Sequence, residues 1–308
     1  MSDFNSPKEL LNAYKNGFVG SVCDPKDVDK LLGELPHPLF GAAAYKLYGN
    51  GKGKTVLLYK NVQRFDTGFG PSERQVTGDC VSHSTRGAID VTRSTEIIGG
   101  EREEWVARSA TEAIYGSRGH GGQGMSCSGA ARFVHQNGGV LLRKKYGDID
   151  LSKYNGMLGA GWGRRGVPSE IVQEGKKHQV KTISLVKTLD EARDAIASGY
   201  ALSVCSGYGF SSRRDKHGIA KRSGGWNHAM AWVAMDDSHE IYNETLFLVQ
   251  NSWGAWNGGP KRFDQPDGSF WIREKDAIGM LSGGGAWAFS DVDGFPARKI
   301  DWTLDEVF

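Results

Sequence analysis

The sequence predicts an α+β molecule of two lobes, a helical one followed by a β-rich one, with a cleft where they meet. Two observations carry this. Segments with the helical spacing of apolar residues crowd before residue 180, whereas short apolar runs separated by turns dominate after it. At 308 residues with 43 glycines, the chain is also long enough for a large core and richer in turn formers than a helical bundle. The expected division is an N-terminal extension over 1–74, a helical lobe over 75–180 and a β-rich lobe over 181–308.

The elements follow in order. PKELLNAYKNG and PKDVDKLLGEL, both before residue 40, each open on proline and read as short helices. AAAYKLYGNGKGKTVLLYKNV, 42–62, alternates around a Gly-rich turn and is expected to form a β-hairpin that packs on the fold. Its Gly53-Lys54-Thr55 is no phosphate loop, because that pattern needs glycine where Tyr48 stands and a helix where VLLYKN follows. Residues 80–98 have helical spacing and stop at Gly99-Gly100, and EREEWVARSATEAIYG is expected to be a second helix. After the loop RGHGGQGM, SGAARFVHQNGG reads as a third helix, and a Gly-rich stretch runs to about 180. Strand VKTISLV, helix TLDEARDAIASG and strand YALSVCSG come next, then the strand runs HAMAWVAMDD, TLFLVQNSW and GSFWIREKD.

Composition excludes several classes of function. A net charge of +2, from 38 basic and 36 acidic residues, leaves no electrostatic footprint for nucleic acid or an anionic membrane. The amino terminus lacks the apolar core of a secretory signal, and no run is long enough to span a bilayer. Cys23, Cys80, Cys127 and Cys205 form no Cys-x-x-Cys pair, so neither a disulfide framework nor a metal site is expected, nor any cofactor. The expected setting is the cytoplasm or another reducing compartment.

Cys80 alone reads as a small buried hydrophobe. As a nucleophile it needs a base, and of the eight histidines His228 differs from the rest by opening an apolar strand, which projects it from a rigid edge of the cleft. A base needs an orienting group in turn, and Asn251 ends the strand LFLVQ. By itself Asn251 reads as a turn residue before Gly254. Cysteine at a helix start, histidine at a strand start and asparagine at a strand end, in that order, together favour nucleophilic catalysis.

The ordered set of motifs resembles the papain-like cysteine peptidases. QVTGDCVSHSTRGAID, 75–90, is similar to their glutamine and nucleophile segment, SGAARFVHQNGGV to the exit of the helical lobe, and LDEARDAIASGYALSV to the entry into the β lobe; NHAMAW and LVQNSWGAWNGG resemble the histidine and asparagine segments. The resemblance implies Cys80 as nucleophile, His228 as base and then acid, Asn251 as orienter, Gln75 as a side-chain donor to the oxyanion, and Trp253 as a shield over the Asn251–His228 bond. It implies hydrolysis of peptide bonds in a peptide or protein through an acyl-enzyme thioester. Two other activities stay open: amide hydrolysis or acyl transfer on cell-wall or other non-protein amides, and an inactive papain-like domain serving a larger assembly.

This chain departs from the pattern in three ways. Gln75 precedes Cys80 by one residue fewer than usual, Val81 replaces a tryptophan, and Asp79 sets a negative charge beside the thiol. Residues 1–40 are expected to be a detachable arm or diverged prosegment that covers the cleft or binds a protein partner.

Overall fold

The chain is described from a computed structural model, which covers residues 4–68, 73–100 and 105–298. Two capped helices lead. In α1 (Pro7–Lys15) the Ser6 hydroxyl accepts the Glu9 N–H at 3.2 Å; in α2 (Pro25–Glu34) the Asp24 carboxylate accepts the Lys26 N–H at 2.9 Å. Each buries one stripe, Leu10 and Tyr14 from α1, Val28 and Leu31 from α2. Their burial ties the extension to the body, as does Pro38, whose carbonyl accepts the Leu185 N–H at 2.9 Å.

The centre is α3 (Cys80–Ile98), buried at every residue from Cys80 to Glu96. Its polar side chains are partnered. Asp90 accepts the Ser109 N–H at 3.0 Å and the Ser109 hydroxyl at 2.6 Å, and Arg86 meets Glu73 at 3.0 Å. Against α3 lies a seven-stranded sheet. Its strands are β1 (Thr55–Val56), β2 (Thr182–Leu185), β3 (Leu202–Ser206), β4 (His228–Asp236), β5 (Leu246–Gln250), β6 (Ser269–Arg273) and β7 (Ala286–Ser290). They run β6–β5–β4–β3–β7–β2, with β1 pairing the end of β4, and every pairing is antiparallel. Gly87 of α3 faces Ala231 of β4, where a methyl group would sit only 3.5 Å from the alanine Cβ. Small residues on both sides therefore bring the helix close to the strand carrying His228.

Four points of the expected layout change. The hairpin over 42–62 does not form: residues Phe40–Ala43 and Leu58–Gln63 are helical, and Thr55–Val56 pairs with Met235–Asp236 of β4. The Gly-rich turn is claimed by distant carboxylates. Asp194 accepts the N–H of Gly49 at 2.7 Å and of Gly51 at 3.0 Å, and Asp237 accepts that of Gly53 at 2.7 Å. Of EREEWVARSATEAIYG, residues 101–104 lie outside the described residues and only Glu112–Gly116 is helical. Tertiary contacts hold the middle out of a helix, since Ser109 binds Asp90 and Arg93 reaches the Ala107 carbonyl at 2.7 Å. The Gly-rich stretch contains a further helix, Gly156–Arg165, started by the Asn155 side chain accepting the Leu158 N–H at 3.0 Å.

The fourth concerns the cysteines. Cys127, at the start of the helix Cys127–Arg132, is disulfide-bonded to Cys205 of β3, with Cα atoms 6.5 Å apart across a separation of 78 residues. Such a pair is invisible to local spacing. The expectation of a reducing compartment rested on the absence of any bridge and loses that support. Among the described residues no helix is long and apolar enough to cross a membrane.

Candidate active site

Cys80 is the first residue of α3, so its backbone N–H belongs to the unpaired donors of a helix N-terminus. Asp79 precedes it but does not cap the helix. Its carboxylate instead accepts the Tyr154 hydroxyl at 2.7 Å and lies 3.5 Å from His83 Nε2. The expected opposition of Asp79 to a thiolate holds, as its charge is among the influences raising the Cys80 pKa.

His228 is the first residue of β4, and the pairing of Gln250 with Ala231 brings Asn251 beside it. The ring Nε2 and Asn251 Oδ1 are 2.8 Å apart. Because the amide oxygen only accepts, Nε2 carries the proton and Nδ1 keeps its lone pair. Nδ1 has no hydrogen-bond partner among the described residues. Asn251 is fixed in turn, its Oδ1 also accepting the Ser252 N–H at 2.7 Å. The Trp253 ring lies 4.8 Å from the imidazole, fully buried, and Trp226 packs 4.8 Å from Trp253 and 6.3 Å from the imidazole. The sequence reading missed Trp226; its position two residues before His228 was the available signal.

Gln75 is locked from several directions. Its Nε2 donates to the Thr77 carbonyl at 2.7 Å, while Oε1 accepts the Ser252 hydroxyl at 2.5 Å and the Trp253 indole N–H at 3.2 Å. One amide hydrogen is left over.

Tyr14, from α1, was not singled out in the sequence. Its ring is 4.7 Å from His228 and 5.2 Å from Trp253, and its hydroxyl lies against the Cys80 thiol and the Gln75 amide without an aligned hydrogen bond. Gly20 completes the cover. A methyl group there would lie 2.0 Å from the Tyr14 hydroxyl oxygen and 2.8 Å from Cys80 Sγ, so only glycine lets the backbone pass this close. The N–H groups of Gly20 and Ser21 both donate to the Asn227 carbonyl at 2.9 Å, and Ser21–Val22 pairs in parallel with Met125–Ser126. Residues 14–22 thus cross between the short strand before Cys127 and the strand bearing His228. No helical pattern announces this, since a sequence shows that Tyr14 is buried but not against what.

Burial sets the electrostatics. It pushes the Cys80 thiol up to about 12 and the His228 imidazole down to about 3. Both groups are neutral at ordinary pH, so the covered site holds a thiol and an imidazole rather than an ion pair.

Comparison with solved structures agrees with the architecture. The chain is similar to xylellain, a cysteine protease from Xylella fastidiosa, at 18% identity and TM-score 0.50, over 77% of this chain and 86% of that one. It is also similar to the Amb a 11 cysteine protease, a major ragweed pollen allergen, in its proform, at 13% identity and TM-score 0.55, over 93% of this chain and 77% of that one. No protein-family model matches the chain, and no curated protein matches it. The fold is papain-like, with the expected α+β class.

Proposed function

We propose that this papain-like chain is a cysteine peptidase that cleaves peptide bonds through an acyl thioester, held here in a covered form by residues 4–23. The observation that carries the reading is the His228–Asn251 pair at 2.8 Å, roofed by Trp253, with Nδ1 free and Tyr14 lying against both His228 and Cys80. A structural module has no need of an imidazole oriented this way with one nitrogen left open. The Amb a 11 structure, which matches 93% of this chain, is of a proform, and this supports reading the leading residues as a cover.

The chemistry follows from the residues. Once the cover leaves, water re-enters and the desolvation that keeps both groups neutral is relieved. The Cys80 thiol then passes its proton to His228 Nδ1, and the α3 N-terminus stabilises the thiolate. The thiolate attacks the scissile carbonyl. The oxyanion is held by the Cys80 N–H and the spare hydrogen of Gln75 Nε2, a type of contact contributing about 3 kcal/mol per donor. His228 returns the proton to the leaving amine, then takes one from the water that opens the thioester.

The test is labelling with a peptidyl vinyl sulfone before and after limited proteolysis of the arm. Adduct at Cys80 should form slowly before the cut and rapidly after it. A cut, folded protein in which iodoacetamide reaches Cys80 but the peptidyl reagent does not would leave the structural-module reading instead.

A further inference from the structure

The mechanism above uses one of the four cysteines, and the other three meet at a single place. Val22 of the arm pairs with Ser126, so the next residues along this parallel pairing are Cys23 and Cys127. Cys127 is bonded to Cys205. Cys23 is a free thiol, half-buried, donating to the Gly283 carbonyl at 3.2 Å. A methyl group built on Gly285 would touch both Cys23 Sγ, at 3.3 Å, and Cys205 Cβ, at 3.0 Å. A free thiol of the arm is therefore close to Cys205, and its backbone follows the strand paired with the one that leads into Cys127, the other half of a disulfide that joins the helical segment to the sheet.

We propose that Cys23, Cys127 and Cys205 form a thiol–disulfide exchange relay that decides whether the arm is covalently fastened in the cleft. Cys23 loses its proton to solvent and its thiolate attacks Cys205 Sγ. The Cys23–Cys205 bond forms, the Cys127–Cys205 bond breaks, and Cys127 leaves as a thiolate that takes up a proton. Nothing is oxidised or reduced overall. In the starting isomer the bridge joins the Cys127–Arg132 helix to β3 and the arm is held by packing and hydrogen bonds alone. In the exchanged isomer the arm is tied to β3, and either back-attack by the Cys127 thiolate or an external thiol or dithiol reductant frees it. Burial and the adjacent Asp24 carboxylate push the Cys23 thiol up, so exchange is slow at neutral pH and quickens under alkaline conditions. The proposal rests on the reading that residues 4–23 cover the site, but the bond pattern does not require that the site be active.

Disulfide mapping tests it on the full chain carrying Cys80→Ser, which removes the nucleophile and any self-cleavage from the outcome. The protein is held at alkaline pH, quenched with acid, alkylated and digested without reductant. A Cys23–Cys205 peptide should appear with time as Cys127 becomes alkylatable, and Cys23→Ser should abolish both changes. Adding Cys127→Ala, in a buffer of reduced and oxidised glutathione that supplies the oxidant, should give a Cys23–Cys205 bond and loss of free Cys23. The proposal is overturned if the Cys23–Cys205 peptide never appears in the Cys80→Ser chain while glutathione does open the Cys127–Cys205 bridge. That outcome does not depend on whether the Cys127→Ala variant folds. Failure of the peptidase reading would show in vinyl sulfone labelling and leave the mapping unchanged.

Discussion

Replacing Tyr14 with alanine should uncover the site. The ring is 1% exposed, 4.7 Å from His228, 5.2 Å from Trp253 and 5.1 Å from Phe18, so little solvent or slack is available to refill its volume. Truncating a buried aromatic of this size costs about 3 to 5 kcal/mol. If that loss falls on the equilibrium between covered and uncovered forms, every 1.4 kcal/mol or so raises the uncovered population about tenfold, so Tyr14→Ala should raise it from about one hundredfold to a few thousandfold. The assay is the second-order rate of Cys80 alkylation by iodoacetamide, in the regime where opening is in rapid equilibrium and the rate tracks the open population. Tyr14→Phe separates volume from hydroxyl. The hydroxyl has no aligned hydrogen bond, so its removal is worth about 1 kcal/mol at most and less than tenfold in rate. Refutation would be a Tyr14→Ala protein, folded by circular dichroism, whose Cys80 reacts at the wild-type rate. The access route to the thiol would then not pass under Tyr14.

Three further outcomes are expected. Asn251→Ala should lower kcat/KM of the arm-free protein while leaving measurable turnover, because Asn251 orients the ring and moves no proton, whereas Cys80→Ala should abolish turnover; comparable losses in peptide hydrolysis would show that Asn251 does more than orient. Acid should loosen the covered form: the His228 pKa lies below its ordinary 6.5, so the uncovered or unfolded chain binds a proton that the covered form refuses, and stability present above 6.5 is lost as pH falls toward about 3. Glu73, lowered by Arg86 and Arg143 from 4.5 to about 2, loses its own contribution only below 4.5, so a fall in melting temperature between 6.5 and 4.5 that persists in His228→Gln would rule out the histidine as its source. Asp194→Ala should strip the half-buried Gly49 and the buried Gly51 N–H groups of their acceptor, at about 1 to 3 kcal/mol for the buried donor and less for the other, and lower the melting temperature by several degrees with no change in Cys80 reactivity; an unchanged melting temperature in calorimetry would show that this turn does not depend on the carboxylate.

What was legible in the sequence is what local chemistry encodes. Proline and a capping side chain start α1 and α2; a Gly-Gly pair ends α3; apolar runs between turns mark β2 to β6. The order of Cys80, His228 and Asn251, and the element each one opens or ends, also stood in the sequence. Each of these depends on neighbours a few residues away, and periodicity reports such neighbours faithfully. The rest depends on partners far along the chain. Asp194 and Asp237 take the N–H groups of a turn more than a hundred residues earlier, so a pattern that suits a hairpin becomes a loop pinned to the body. Cys127 and Cys205 become bonding partners only because the helix after the Met125–Ser126 strand and β3 meet. Tyr14 illustrates the physical reason most directly. Its spacing from Leu10 shows which face of α1 is buried, but hydrophobic burial has no direction and names no partner. Only the folded chain places that face over a thiol and an imidazole.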